Sequence, residues 1–212
     1  MKTIRGLSGF GDNIYMRVIM EWLLENEPAD YTILSNFPDI FRDMSVKVEK
    51  YNRSVGVDYS CTYLRDKRGP NTQFQDLLNS VGFPIIPFTS KLKSRTPKGY
   101  TIVIPPYSPM GGYSGSRPMQ PLEEEYSDFI KQYKNVKILT GKHPFRNLVN
   151  IFNSADLVIS QVGWAVPMSE MLDVPLIAVF TRRALEKGNS FISAVTPNKI
   201  KEKESTTIKI ME

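Results

Sequence analysis

Leu157 to Phe180 reads LVISQVGWAVPMSEMLDVPLIAVF. The apolar run Leu157 to Ser160 is too short for a helix and suits a strand buried on both faces. Gly163 interrupts it, Val166 to Leu172 has the length of a short helix, and Pro175 opens a second apolar run that ends at Phe180. A strand, a helix and a strand joined by short connections form a crossover unit, whose hand makes the two strands parallel. The stretch therefore predicts an α/β protein.

The same alternation extends upstream. Tyr100 to Ile104 and Val136 to Leu139 read as strands, and Pro175 to Phe180 as the last one. Leu122, Tyr126, Phe129, Ile130 and Tyr133 make one helical stripe, and Phe145, Leu148, Val149 and Phe152 another. Pro84 to Lys98 is rich in Pro, Lys, Ser and Thr without helical period, and is read as an interdomain linker. Before it, strands are expected at Thr3 to Leu7, Tyr31 to Leu34, Val46 to Glu49 and Asp58 to Tyr63, with a short helix near Pro38 to Asp43. A helix with Tyr15, Val18, Ile19, Trp22 and Leu23 on one face follows the turn Ser8 to Gly11, capped by Asp12 or Asn13, and Thr72 to Ser80 forms another, stopped at Gly82. Two such runs predict two Rossmann-like lobes, residues 1–92 and 93–212, with parallel sheets facing across a cleft. Ligands gather at the carboxyl ends of parallel strands, so the loops after the strands are where chemistry is expected.

Composition narrows the classes. The chain has 212 residues with 41% hydrophobic and 23% charged content, the balance of an ordinary globular protein. No run approaches the roughly 20 apolar residues of a membrane span, and the start MKTIRGLSGFGDN has no signal-peptide core, so a cytoplasmic location is expected. One cysteine, Cys61, and one histidine, His143, rule out an intramolecular disulfide and a Cys/His zinc site. A net charge of +5 favours an anionic partner such as a nucleotide or a nucleic acid.

Several residues at the predicted cleft carry polar chemistry. A helix starting near Trp164 would aim its free N–H groups and positive dipole end at a pyrophosphate, with Gly163 letting the ligand approach the backbone. Ser169 and Glu170 follow, where a carboxylate can accept hydrogen bonds from ribose hydroxyls. Gly9, Gly11, Asp12 and Asn13 stand after the first strand, too irregular for a dinucleotide fingerprint. Asp12 is read either as a general base or as a helix cap alone. Ser114, Gly115, Ser116 and Arg117 lie in a long Gly/Pro/Ser loop, read either as phosphate ligands or as plain surface. Lys142 lies beside His143 at another strand end; Lys142 suits a phosphate or base contact, and the lone histidine is read as structural.

With Gly163, Ser169, Glu170 and Pro175 in that order, the 157–180 stretch resembles the donor-binding segment of GT-B glycosyltransferases, in particular the heptosyltransferase-like group, glycosyltransferase family 9. Gly9-Phe10-Gly11-Asp12 is similar to that group's Gly-x-Gly-Asp opening, whose aspartate is its proposed base. The resemblance implies a minimal GT-B enzyme with donor residues Ser114, Arg117, Lys142, Gly163, Trp164, Ser169 and Glu170, acceptor-side Gly9, Gly11 and Asn13, and Asp12 as catalyst. The family's lysine beyond the small-residue loop is missing, since none occurs before Lys131. No cofactor is expected beyond a nucleotide-sugar donor, taken as UDP-linked. The absence of an Asp-x-Asp motif fits metal-independent transfer.

The acceptor stays open between a saccharide or lipid-linked hydroxyl and a hydroxymethylated pyrimidine in DNA, as in phage-type DNA glycosyltransferases. The DNA reading leads, with Lys47, Lys50, Arg53, Arg65, Lys67 and Arg68 near the phosphates and the base flipped out of its stack. A non-catalytic nucleotide-binding module of the same fold is the rival.

Overall fold

The computed structural model describes residues 1–63, 71–105, 123–182 and 201–211. Its first sheet holds four parallel strands, β1 (Lys2–Arg5), β2 (Tyr31–Leu34), β3 (Lys47–Glu49) and β4 (Tyr59–Ser60), in the order β3-β2-β1-β4. The second holds β5 (Thr101–Ile104), β6 (Val136–Ile138), β7 (Leu157–Gln161), β8 (Leu176–Thr181) and β9 (Thr206–Met211), also parallel, in the order β6-β5-β7-β8-β9. The helices are α1 (Phe10–Asn26), α2 (Gln73–Asn79), α3 (Glu123–Ile130), α4 (Phe145–Ser154) and α5 (Ala165–Leu172), with a 3₁₀ turn at Pro38–Phe41.

The apolar runs of β2, β5, β7 and β8 form strands covered on both faces, while β3, β6 and much of β9 are exposed. Every residue of β2 and of β5 is buried, as uninterrupted YTIL and TIVI require. Along the second sheet alternate residues serve different cores. Val103, Ile159 and Val179 pack under α3 with Tyr126 and Phe129, whereas Ile102, Ile104, Val158, Ala178 and Phe180 join the main core with α4 and α5. In α4, Phe145, Leu148, Val149 and Phe152 are the buried stripe. Thr72 caps α2 reciprocally: its hydroxyl accepts from the Gln75 N–H at 3.3 Å, and its own N–H donates to Gln75 Oε1 at 3.0 Å.

Three expectations need correcting. The strand ending at Phe180 is not the last, because β9 pairs with β8 along its whole length, Leu176 with Thr206 through Thr181 with Met211. Asp12 lies inside α1, which starts at Phe10 with Gly9 as its N-cap. And α1 is buried well beyond the one apolar face expected of it: Asn13 to Glu21 are all buried along with Leu23, because the helix is sandwiched between its own sheet and elements of the other lobe.

The lobes are joined by one main core and by polar ties. Phe10 stacks edge-on against Phe37, Phe145 and Trp164, with ring centres 5.2, 6.5 and 5.6 Å away. Asp39 Oδ2 in the 3₁₀ turn accepts from the Phe145 N–H at 2.6 Å, which caps α4 from the opposite lobe. Buried Arg17 holds Asp43 through two nitrogens, at 2.7 and 2.8 Å, and donates to Glu21 at 3.0 Å. Glu21 also accepts from Ser90 Oγ (2.7 Å) and the Lys91 N–H (3.0 Å), fastening the irregular 84–100 segment to α1. On its far side that segment meets α4, where Asn153 accepts from the Ser94 N–H at 3.0 Å and donates to the Leu92 carbonyl at 2.9 Å. Cys61 is a buried free thiol, and burial pushes its pKa up to about 12. Among the described residues no helix is long and apolar enough to cross a membrane.

Candidate active site

Strand order locates the site. In the first sheet the chain leaves β1 toward β2 on one side, while β4 lies on its other side, so the connections diverge between β1 and β4. In the second sheet the corresponding divergence falls between β5 and β7. Open parallel sheets bind ligands at these switch points, outside the carboxyl ends of the strands. Here β1 turns through Ser8 and Gly9 into α1, and β7 turns through Val162 and Gly163 into α5. The two corners touch: a Cβ on Gly11 would lie 3.2 Å from Trp164 Cα and 3.5 Å from Pro167 Cγ, so any side chain there would push the start of α5 back by a few tenths of an ångström.

Asp12 stands at the first corner, half-buried at the third position of α1. Its Oδ2 accepts from the Gly9 N–H at 3.0 Å, and its Oδ1 accepts from the Tyr63 hydroxyl. A Cβ on Gly9 would lie 2.5 Å from Oδ2, so that glycine makes room for the carboxylate. Desolvation raises the Asp12 pKa above the usual aspartate range, against the opposing pull of the Tyr63 and Gly9 donors. The result is a carboxylate of increased basicity at a sheet switch point, the property a general base needs.

Asn13 has a different task. It is buried, its Nδ2 donates to the carbonyls of Leu7 (3.2 Å) and Gly9 (2.7 Å), and its Oδ1 accepts from Ser35 Oγ at 2.7 Å. Its amide is committed to holding the β1–α1 turn against the end of β2.

At the second corner Gly163 is half-exposed, whereas Trp164 is 5% exposed and packs between Phe10 and Phe152. Ser169 and Glu170 are fully buried. Glu170 Oε1 accepts from Thr206 Oγ1 at 2.9 Å and from the Glu202 N–H at 3.3 Å, which turns it toward the start of β9. Glu170 Oε2 and Ser169 Oγ have no hydrogen-bond partner among the described residues. Burial, and then the nearby Glu202 carboxylate, hold the Glu170 pKa well above its ordinary value. Glu202 accepts from the Phe74 N–H at 3.0 Å, at the start of α2, and burial raises its pKa from 4.5 to about 7.

The structure thus brings Gly11, the residue before Asp12, against Trp164, with Gly9 held to Asp12 on the other side. It keeps Ser169 and Glu170 behind that surface, on the β9 side of α5. Lys142 is exposed in the loop after β6, and His143 Nε2 lies 2.9 Å from the Thr140 carbonyl, a local turn contact. Ser114, Gly115, Ser116 and Arg117 lie outside the described residues, as do Arg65, Lys67 and Arg68. Lys47 is paired with Glu49 at 2.7 Å. Among the described residues no group of three or more His, Cys, Asp or Glu side chains is arranged to hold a metal. Tyr63 was missed by sequence reasoning; its only signal was a place at the end of the strand expected at Asp58 to Tyr63.

No protein-family model matches this sequence, and no curated protein matches it. Solved structures do. The dodecameric iron-containing glycosyltransferase TibC from enterotoxigenic E. coli H10407 superposes with a TM-score of 0.52 at 13% identity, covering 84% of this chain and 57% of TibC. The E. coli ADP-heptose LPS heptosyltransferase II matches with a TM-score of 0.55 at 10% identity, over 98% of this chain and 90% of that one. E. coli heptosyltransferase WaaC, solved with ADP, matches with a TM-score of 0.51 at 10% identity, over 100% of this chain and 94% of WaaC. The chain spans little more than half the length of TibC and nearly all of the other two. At these identities the likeness shows the fold: two parallel α/β sheets arranged as in heptosyltransferases.

Proposed function

We propose that this chain is a glycosyltransferase that moves a sugar from a nucleoside-diphosphate sugar to an acceptor hydroxyl, with residues 1–92 serving the acceptor and 93–212 the donor. The observation that carries this reading is the meeting of the two switch-point corners at Gly11 and Trp164, with the raised-pKa carboxylate of Asp12 at the junction. The arrangement suits a reaction between two bound substrates, one presented by each sheet.

In the proposed step the acceptor oxygen attacks the anomeric carbon while Asp12 takes its proton. The bond from that carbon to the diphosphate oxygen breaks, and the electron pair leaves with the nucleoside diphosphate. The half-exposed Gly163 backbone is proposed to meet the diphosphate, with Arg117 and Ser114 adding to it. The helix start offers less than the sequence led one to expect, because Pro167 has no N–H and the Val166 N–H already donates to the Gly163 carbonyl at 3.1 Å. Lys142 is proposed to contact the nucleotide from the rim. Glu170 is proposed to support the second corner, with ribose contact requiring α5 to part from β9.

The fold shared with heptosyltransferases supports the reading, and one of these structures, TibC, was solved in complex with ADP-D-β-D-heptose. Adenine-linked donors are therefore proposed ahead of the UDP-linked donors expected from sequence. A saccharide acceptor is likewise proposed ahead of DNA, because one of the matched enzymes is named an LPS heptosyltransferase. The test is acceptor-dependent release of nucleoside diphosphate from ADP-heptose and from ADP- and UDP-hexoses, with saccharides and hydroxymethylated duplex DNA as acceptors. Release with an ADP-sugar and a saccharide is expected. Release with none of the pairs would overturn the enzyme reading in favour of a nucleotide-binding module.

A further inference from the structure

Tyr63 reaches Asp12 from 51 residues away because of strand order. The Cys61 N–H donates to the Arg5 carbonyl at 2.8 Å, extending the β1–β4 ladder one step past Ser60. The Thr62 N–H then donates to Ser80 Oγ at 3.0 Å, and Ser80 Oγ donates to the Leu77 carbonyl at 2.7 Å, anchoring the chain to the end of α2. With Cys61 and Thr62 both fixed, the half-buried Tyr63 side chain crosses the switch point, and its hydroxyl donates to Asp12 Oδ1. The Gly9 N–H holds the other oxygen at 3.0 Å. Each oxygen thus has one fixed donor, which sets the plane of the carboxylate and leaves a second lone pair on each for an incoming proton.

We propose that Tyr63 is the positioning residue for Asp12, its hydroxyl fixing the carboxylate plane so that a free lone pair points at the acceptor hydroxyl. This rests on the general-base reading of Asp12. The phenol does not touch the reacting atoms; it acts through the carboxylate. Its second effect is to favour the ionised form, in opposition to the burial that raises the Asp12 pKa. Strand order thereby links the acceptor-side turn after β1 to the loop after β4, a connection that neither segment's sequence contains.

The experiment is a carbon-13 titration of the Asp12 carboxyl in the intact chain, with pH profiles of kcat/KM alongside. In Tyr63→Phe the midpoint is expected to rise by about one pH unit, and the acid limb of kcat/KM to rise with it, with the donor KM within about twofold of wild type. Replacing Tyr63 with 3-fluorotyrosine keeps the ring and strengthens the donor, so the midpoint is expected to fall; this second variant decides the matter if Tyr63→Phe does not fold. A midpoint that stays put in both variants overturns Tyr63's role alone. Wild-type turnover in Asp12→Asn overturns the general-base reading, and with it Tyr63's part in the reaction.

Discussion

The two corners that meet at the lobe junction are built alike and end differently. Each is a parallel strand, a short turn with a glycine, and a helix carrying a carboxylate. At the first, Asp12 folds back over its own turn, half-buried, with its oxygens held by Gly9 and Tyr63. At the second, Glu170 lies deeper along α5, fully buried, and is held by Thr206 and the Glu202 N–H. Both pKa values are raised chiefly by desolvation, yet only Asp12 lies beside the surface where the sheets' carboxyl ends converge. A raised pKa alone does not separate a reactive acid from a structural one; the direction in which its oxygens are held does.

Breaking the first corner should have the largest effect. Asp12→Asn keeps the size and one acceptor oxygen but cannot take a proton, so kcat should fall about 10²- to 10⁴-fold with nucleotide affinity nearly unchanged, as read by initial rates and titration calorimetry. Activity of the wild type should rise with pH along an acid limb lying above the usual aspartate range, since the base works only when ionised.

The second corner should show itself in stability. Glu202 has a folded pKa of about 7 against an ordinary 4.5, so the folded state binds its proton more tightly than the unfolded chain does. Its contribution is therefore fully present below about pH 4.5 and is lost as pH rises toward about 7, by on the order of 2–3 kcal/mol. Glu202→Gln keeps the acceptor for the Phe74 N–H and should make that slope shallower in thermal unfolding followed against pH, leaving the share of Glu170, whose pKa is also raised.

Gly11→Val places a branched Cβ against the Trp164 backbone and should cost about 2 kcal/mol, visible as a lowered thermal midpoint. The smallest expected effect is that of Thr206→Val, which removes one hydrogen bond from buried Glu170. It should lower stability by about 1 kcal/mol and leave kcat unchanged.

The sheets were legible in the sequence because strands buried on both faces are written as unbroken apolar runs, as at Tyr31 to Leu34 and Thr101 to Ile104. β9 was not, because TTIKIM alternates over only six residues and has buried ends alone, Thr206 and Met211, to mark it. The burial of α1 on more than one side was hidden as well, since Asp43, Ser90 and Lys91, the partners of Arg17 and Glu21, come from distant segments of the chain. Of the candidate site, Gly9, Gly11 and Asp12 could be read from a local turn. The contact of Tyr63 with Asp12 and the turn of buried Glu170 toward β9 depend on strand order and on packing against β9, which no short motif encodes.

The central claim is that the joined corners form a nucleoside-diphosphate site. It is tested most directly by thermal unfolding of the intact chain against ADP, UDP and GDP, each raised to millimolar concentration. The account predicts that at least one of them, with ADP first, raises stability by about 2.7 kcal/mol when present at about 100 times its Kd. A folded chain whose unfolding is unmoved by every one of them would contradict it.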